Sequence, residues 1–369
     1  MLKMKPKQNH RYVKRDFIHT IDANYIILLG QRTNGKSFAV KEDLIKNALE
    51  KGEEFAYIRR YKEDCRQYMV EEYFSDIICD KKGVRHLYEW SKGEYNTITV
   101  YQQGIYFGNM DDNGKVTRGQ RLGRMFGLSW ATHYKSLSFP NITSAVYEEF
   151  VTDEAFLDSE CKRFMHLIST IFRESPARVY LVGNTLSRIN PFFSEWELVN
   201  IPKQKINSVD FYYHKYEDEN GEEKETKIAV YLTHSTNVNS GMFFGNSAKA
   251  ITGSVWDTDE QPHLQGRKEE YDILYTMVFI YDRTLFLMEF MQHRESGAVT
   301  WFISPKNTKP QKDTRIISNK FILDNMATMG FTPISEGERI IFQYLKEDKV
   351  CYSDNLTGTE FKQCYNMLR

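Results

Sequence analysis

Cysteine is sparse and unpatterned. The five cysteines, Cys65, Cys79, Cys161, Cys351 and Cys364, are odd in number and none forms a C-x-x-C pair. That argues against a disulfide framework or a structural zinc site and fits a reducing compartment. No apolar run approaches the roughly 20 residues that a membrane-spanning helix needs. The N-terminal stretch MLKMKPKQNHRYVKR is basic but lacks the apolar core of a secretory signal, and reads as a solvated arm able to touch nucleic acid. Net charge is also missing. Lys and Arg number 49 against 50 Asp and Glu, leaving −1. No global field attracts polyanions, so contact with nucleic acid must come from local patches or from a ring of subunits. There is no internal repeat or low-complexity tract. What remains is an ordinary globular composition, 41% hydrophobic, 27% charged and 14% aromatic, over 369 residues, a length that suggests two domains.

The N-terminal half alternates strand-like and helix-like segments. YIILLG reads as a buried strand, Ser37 to about Leu49 as a helix closed by Gly52, and Glu54 to Lys62 as a second strand with a basic cluster. Residues 95–129 look like strand, turn, strand, with DDNG at 111–114 supplying the turn. Ile142 to Val151 is a further strand ending in acids. The helix 158–173 carries Cys161, Phe164, Leu167, Ile168, Ile171 and Phe172 on one face. ARVYLVGN, 177–184, is another buried strand. This alternation predicts a parallel α/β domain over 1–200. Residues 201–264 read as a linker subdomain, with a charged turn at 216–227 between two strand-like runs and irregular chain over 234–268. The region 265–369 begins with three strands, the first two joined by the short DRT turn that implies antiparallel pairing. It ends in a charged tail with two helices, 336–347 and 357–368.

The chemistry centres on GQRTNGKS. Gly30, four residues, then Gly35-Lys36-Ser37 is the P-loop spacing, here between a strand and a helix. Such a loop, Gly30, Gln31, Arg32, Thr33, Asn34, Gly35, Lys36 and Ser37, wraps phosphates in backbone N–H groups and offers the positive end of a helix. Lys36 would reach the β- and γ-phosphates and Ser37 would bind Mg²⁺. Hydrolysis of ATP also needs a carboxylate for the metal and a group to orient water. AVYEEF offers Glu148 and Glu149. Such strands ordinarily end Asp-Glu, so the metal-side acid here is one methylene longer; a solvated acidic loop is the plainer alternative. Asn184 ends the next strand, where it would sense the γ-phosphate or hold Glu149 off; a turn cap is an equally good reading. Arg173 is a candidate arginine finger supplied to a neighbouring subunit, and Arg59, Arg60 and Lys62 form a second basic group. Each of these basic residues is also readable as a surface charge.

Taken together, GQRTNGKS, FAYIRRYKED, TSAVYEEF, TIFRES and VGNTLSRINPFF resemble, in order and spacing, the genome-packaging ATPases of small phi29-like tailed phages. The resemblance covers about residues 20–200 strongly and 265–330 weakly. It implies an additional-strand P-loop ATPase with a RecA-like parallel sheet, followed by a small ribonuclease-H-like domain that has lost its catalytic acids. It implies ATP and Mg²⁺ as cofactors and a ring, likened to the family's pentamer, at the portal vertex of a prohead in the host cytoplasm. The partners implied are double-stranded DNA, the portal (connector) protein and a structural packaging RNA, with no membrane. Carried across, Lys36 and Ser37 match the phosphate and magnesium residues, and Glu148 and Glu149 the metal and catalytic acids. Arg173 matches the finger, Lys62 a basic residue at the subunit boundary, and Asn184 the polar switch.

Two departures stand out. The usual aspartate is Glu148, and the loop after the catalytic acid, TDEAFLDSE, is acidic where the family's is basic. DNA contacts are therefore expected from Lys115, Arg118, Arg121, Arg124 or Lys135. In the last domain Asp282 and Glu289 lack an obvious third acid, whereas a two-metal nuclease needs several. A docking role is thus favoured over a terminase-like nuclease. A nucleotide-gated binding protein without translocation and a small-molecule kinase are the remaining alternatives.

Overall fold

A computed structural model describes residues 3–4, 12–31, 34–152, 156–173, 177–185, 190–217, 221–233 and 260–368, except positions 283, 307, 309, 312 and 325. Two sheets organise them. The strands of the first are β1 (Lys3–Met4), β2 (Tyr25–Gly30), β3 (Glu54–Arg59), β4 (Thr97–Tyr101), β5 (Gly104–Met110), β6 (Val116–Gly127), β7 (Ile142–Glu148), β8 (Arg178–Asn184), β9 (Ser208–Glu217) and β10 (Glu223–Leu232). They lie in the order β1-β9-β10-β2-β8-β7-β3-β6-β5-β4. From β10 to β6 every neighbouring pair is parallel. Both edges are extended by antiparallel pairing.

The parallel strands are covered on both faces, which is why they read as continuous apolar runs. All six residues of β2 are buried. Alternation sends Tyr25, Ile27 and Leu29 into one core and Ile26 and Leu28 into the other. The second core is closed by the helix Lys36–Lys51, through Ala39, Val40, Leu44, Ile45 and Ala48. That helix ends on Gly52 in the left-handed region, whose N–H donates to the Ala48 carbonyl at 2.9 Å. The first core is closed by the helix Glu160–Ile171, whose Cys161, Phe164, Leu167, Ile168 and Ile171 are buried as their spacing predicts.

Three features differ from the sequence expectation. Within the stretch expected as a linker subdomain from 201, Ser208–Glu217 and Glu223–Leu232 are two strands of the first sheet. β10 lies beside the P-loop strand, with Ile228 to Leu232 paired in parallel to Tyr25 to Leu29. The strand-like runs expected on either side of the charged turn are β9 and β10. Most of the irregular stretch expected after it, 234–259, lies outside the described residues. Second, residues 97–127 form three strands. The extra reversal sits at Gln102, whose φ of 56° makes a tight turn without an Asn-Gly or Asp-Gly signature. Third, the acidic strand stops at Glu148, because Glu149 turns left-handed at φ 57°.

The second sheet comprises β11 (Tyr271–Tyr281), β12 (Thr284–His293), β13 (Val299–Pro305), β14 (Arg315–Ser318), β15 (Ala327–Met329) and β16 (Val350–Tyr352), in the order β15-β14-β11-β12-β13-β16. The first three strands form an antiparallel meander, and β14 and β15 continue in parallel beside β11. The two helices expected in the charged tail form at Glu336–Lys346 and Asn355–Met367, and their Phe342, Leu345, Phe361 and Cys364 are buried against this sheet.

Candidate active site

The P-loop strand and the acidic strand are not neighbours: β8 lies between them. Parallel pairing brings the ends of all three to one edge, with Gly30 opposite Asn184 and Glu148 opposite Val182. Ligands of open parallel sheets bind at the carboxyl ends of strands. Here a pocket of about 350 Å³ is lined by Asn34, Gly35, Lys36, Ser37, Phe38, Asp76, Glu148, Glu149, Val182, Gly183 and Asn184.

The loop geometry depends on its glycines. A Cβ on Gly30 would lie 2.0 Å from Thr233 Oγ1, and Gly35 adopts φ 82° immediately before the helix. Asn34 donates to Thr233 Oγ1, which donates to the Leu29 carbonyl at 2.9 Å. Arg32 and Thr33, expected in this loop, lie outside the described residues. Lys36, only 4% exposed, holds its ammonium at the centre of the loop. It donates to the carbonyls of Gly30 (2.9 Å) and Gln31 (2.8 Å) and to the side-chain oxygens of Asn34 (3.1 Å) and Asn184 (3.3 Å).

Across the pocket floor Ser37 Oγ donates to Glu148 Oε2 at 3.2 Å, and the Tyr73 hydroxyl donates to Glu148 Oε1 at 2.6 Å. Burial pushes the Glu148 carboxyl above its ordinary range, against the opposing pull of Tyr73, Lys41 and Ser37. No group of three or more metal-ligating side chains gathers among the described residues. Magnesium needs no such group: it binds through one or two protein oxygens together with phosphates and water. The facing hydroxyl and carboxylate of Ser37 and Glu148 fit that requirement.

Glu149 sits beside Glu148 but faces another way. Its left-handed backbone, costly for a residue with a Cβ, swings the side chain toward Arg59, whose Nη2 donates to Glu149 Oε2 at 2.6 Å. The group holding Glu149 is therefore Arg59. Asn184, for which the sequence left open sensing the γ-phosphate, holding Glu149 off or capping a turn, accepts from Lys36. Arg60 is no surface charge either. It is buried and bonded to Glu160 at 2.8 and 3.1 Å, and it donates to the carbonyls of Glu149 (3.2 Å) and Phe150 (3.0 Å). One guanidinium thus fixes the backbone that carries the second acid.

Arg173 and Lys62 do not line this pocket. Arg173 is exposed beyond the end of the helix Glu160–Ile171 and donates to the Lys135 carbonyl. The Lys62 ammonium lies 3.0 Å from the centroid of the Trp130 ring. Of the basic residues expected at DNA, Lys115, Arg118 and Lys135 are exposed. Arg118 lies over the Tyr101 ring at 4.0 Å, Arg121 forms a two-bonded pair with Glu54, and Arg124 lies 5.8 Å from the Phe139 ring. In the second sheet Asp282 pairs with Lys320 at 2.8 Å and Glu289 with Lys268 at 2.5 Å. Sequence reasoning missed Tyr73, Asp76 and Thr233. The first two reach the pocket from short helices after β3 with no motif to mark them. Thr233 was hidden by the linker assignment.

Comparison with known proteins places this geometry in a family context. No protein-family model matches the chain. The DNA packaging protein of Bacillus phage B103 is 29% identical over 189 residues, covering 50% of this chain and 51% of that protein. The DNA packaging protein of Bacillus phage phi29 is 26% identical over 198 residues, covering 51% and 50%. Over about half its length this chain is similar to the DNA packaging proteins of these Bacillus phages. It spans about half the length of the curated relatives it matches. A solved bacteriophage phi29 viral genome packaging motor assembly aligns over 98% of this chain and 100% of that one, at 17% identity and a TM-score of 0.53. That likeness extends over both sheets and shows a shared fold. No helix among the described residues is long and apolar enough to cross a membrane.

Proposed function

We propose that the chain is the ATP-hydrolysing subunit of a motor that moves double-stranded viral DNA into a prohead. The observation that carries this reading is the convergence of Lys36, Ser37, Glu148, Glu149 and Asn184 on one pocket, in a chain related to packaging proteins. In this reading the loop N–H groups and Lys36 hold the phosphates, and Asn184 shares the Lys36 ammonium. Ser37 and Glu148 hold Mg²⁺, which supplies charge neutralisation along the phosphates. Glu149, once released from Arg59, orients the attacking water. Arg173, exposed and outside its own pocket, acts on the nucleotide of a neighbouring subunit in a ring, taken to be a pentamer.

The finer assignments belong to the same proposal. The ATPase unit runs from the N-terminus through β10, extending past the boundary at 200. The sheet after 265 is a docking domain for the portal protein and a structural RNA, without nuclease activity; Asp282 and Glu289 are each engaged with a lysine. The exposed Lys115, Arg118 and Lys135 meet DNA phosphates, which suits a motor indifferent to sequence, and Lys62 acts at the subunit boundary. The complex works in the host cytoplasm at the portal vertex.

The test is ATPase rate against protein concentration, with and without double-stranded DNA. A motor of this kind shows turnover per subunit that climbs steeply with concentration and rises further with DNA. Flat specific activity that ignores DNA points instead to a nucleotide-gated binding protein.

A further inference from the structure

Glu148 stands where a strand of this type ordinarily ends in aspartate, and its longer side chain has an extra rotatable bond to immobilise. The structure provides a device for that. Ser37 and Lys41 are four residues apart on one face of the helix Lys36–Lys51. Ser37 holds one oxygen of Glu148 at 3.2 Å, and the Tyr73 hydroxyl holds the other at 2.6 Å. Lys41 closes the ring. Its ammonium donates to the Tyr73 carbonyl at 2.6 Å and to Asp76 at 2.5 Å, and lies 4.6 Å from the centroid of the Tyr73 ring. The Tyr73 ring is itself wedged against Tyr57 and Phe74, each with centroids 4.9 Å away. An aspartate carboxylate would be set back by about 1.5 Å, beyond reach of a hydroxyl placed for the longer side chain.

We propose that Tyr73, anchored by Lys41, is a positioning residue that fixes Glu148 with one oxygen turned toward Ser37 and the pocket, so that a glutamate serves as the magnesium-side carboxylate. The proposal rests on the nucleotide-site reading above. Tyr73 touches neither phosphate nor metal; it acts through Glu148. Removing its hydroxyl keeps the ring packing and frees the carboxylate to rotate. Loss of such an outer partner typically costs about 10- to 100-fold in metal affinity.

The experiment measures binding of a fluorescent ATP analogue to the full chain, in EDTA and across a magnesium titration. Tyr73→Phe is expected to keep the affinity in EDTA and to raise the magnesium concentration for half-maximal tightening about 10- to 100-fold. In a Glu148→Asp background, Tyr73→Phe is expected to have little further effect, because the shorter acid does not use the hydroxyl. A magnesium requirement unchanged by Tyr73→Phe overturns the proposal. So does an equal loss of affinity with and without magnesium, which marks a packing role alone. Wild-type protein that binds no analogue under either condition removes the nucleotide-site reading, and the proposal with it.

Discussion

Two of the buried glutamates, Glu148 on the first sheet and Glu338 against the second, are treated in opposite ways. Glu148 at the end of β7 is 5% exposed, and burial drives its carboxyl above the ordinary glutamate range. Glu338 in the helix Glu336–Lys346 is 2% exposed, yet its carboxyl is held below that range. Burial opposes ionisation there too, but Arg315 at 2.7 and 3.2 Å, the Ile334 N–H at 2.9 Å and the Tyr275 hydroxyl at 2.7 Å outweigh it. Glu338 is satisfied in place, as Glu160 is by Arg60 on the first sheet. Glu148 instead faces a pocket, with a hydroxyl on each oxygen and, among the described residues, no guanidinium bonded to it. That difference separates a carboxylate kept for a ligand from one kept for the fold.

The largest expected effect is on the acid beside Glu148. Glu149→Gln should keep nucleotide binding and lower kcat by about 10²- to 10⁴-fold in a steady-state ATPase assay; normal turnover would make Glu149 a surface residue. A smaller pair of effects, of opposite sign, probes the comparison directly through thermal melting from acid to neutral pH. Glu338→Gln leaves buried Arg315 without its counter-charge, though still bonded to carbonyls and Thr328, and should cost about 3–5 kcal/mol at neutral pH. The lowered folded pKa of Glu338 makes its contribution complete above its ordinary value of 4.5 and lost as pH falls through the lowered one. Glu148→Gln should do the reverse. Its raised folded pKa means that ionisation costs stability as pH climbs above 4.5, so the variant should melt above the wild type at neutral pH and converge with it in acid. Parallel melting curves for the two variants would erase the distinction between the two glutamates.

The parts of the site legible in the sequence were those whose chemistry is local. Gly30 to Ser37 carry their geometry in consecutive residues, and the acidic pair ends an apolar strand. The helix Glu160–Ile171 announced its buried face by periodicity. What stayed hidden depends on long-range pairing. Thr233 and Tyr73 reach the site from strands and helices distant in sequence. The Glu149 partner turned out to be Arg59, because a left-handed turn at residue 149 redirects the side chain and no local pattern encodes that. The runs that form β9 and β10 read as strands on either side of a charged turn, but their place in the first sheet rests on long-range pairing with β2 that no local pattern encodes. The two helices of the charged tail were legible as helices, but not their packing on the second sheet, carried by Phe342, Leu345, Phe361 and Cys364.

The central claim is that one subunit's pocket binds ATP and the next subunit's Arg173 completes it. Mixing two inactive variants tests this most directly. Lys36→Ala lacks the phosphate-binding ammonium but keeps Arg173; Arg173→Ala binds ATP but offers its neighbour no guanidinium. Each alone should be inert, and the mixture should recover ATPase activity where an intact pocket meets an intact arginine. Normal turnover by Arg173→Ala alone, or no recovery in a mixture shown to co-assemble, would contradict the account.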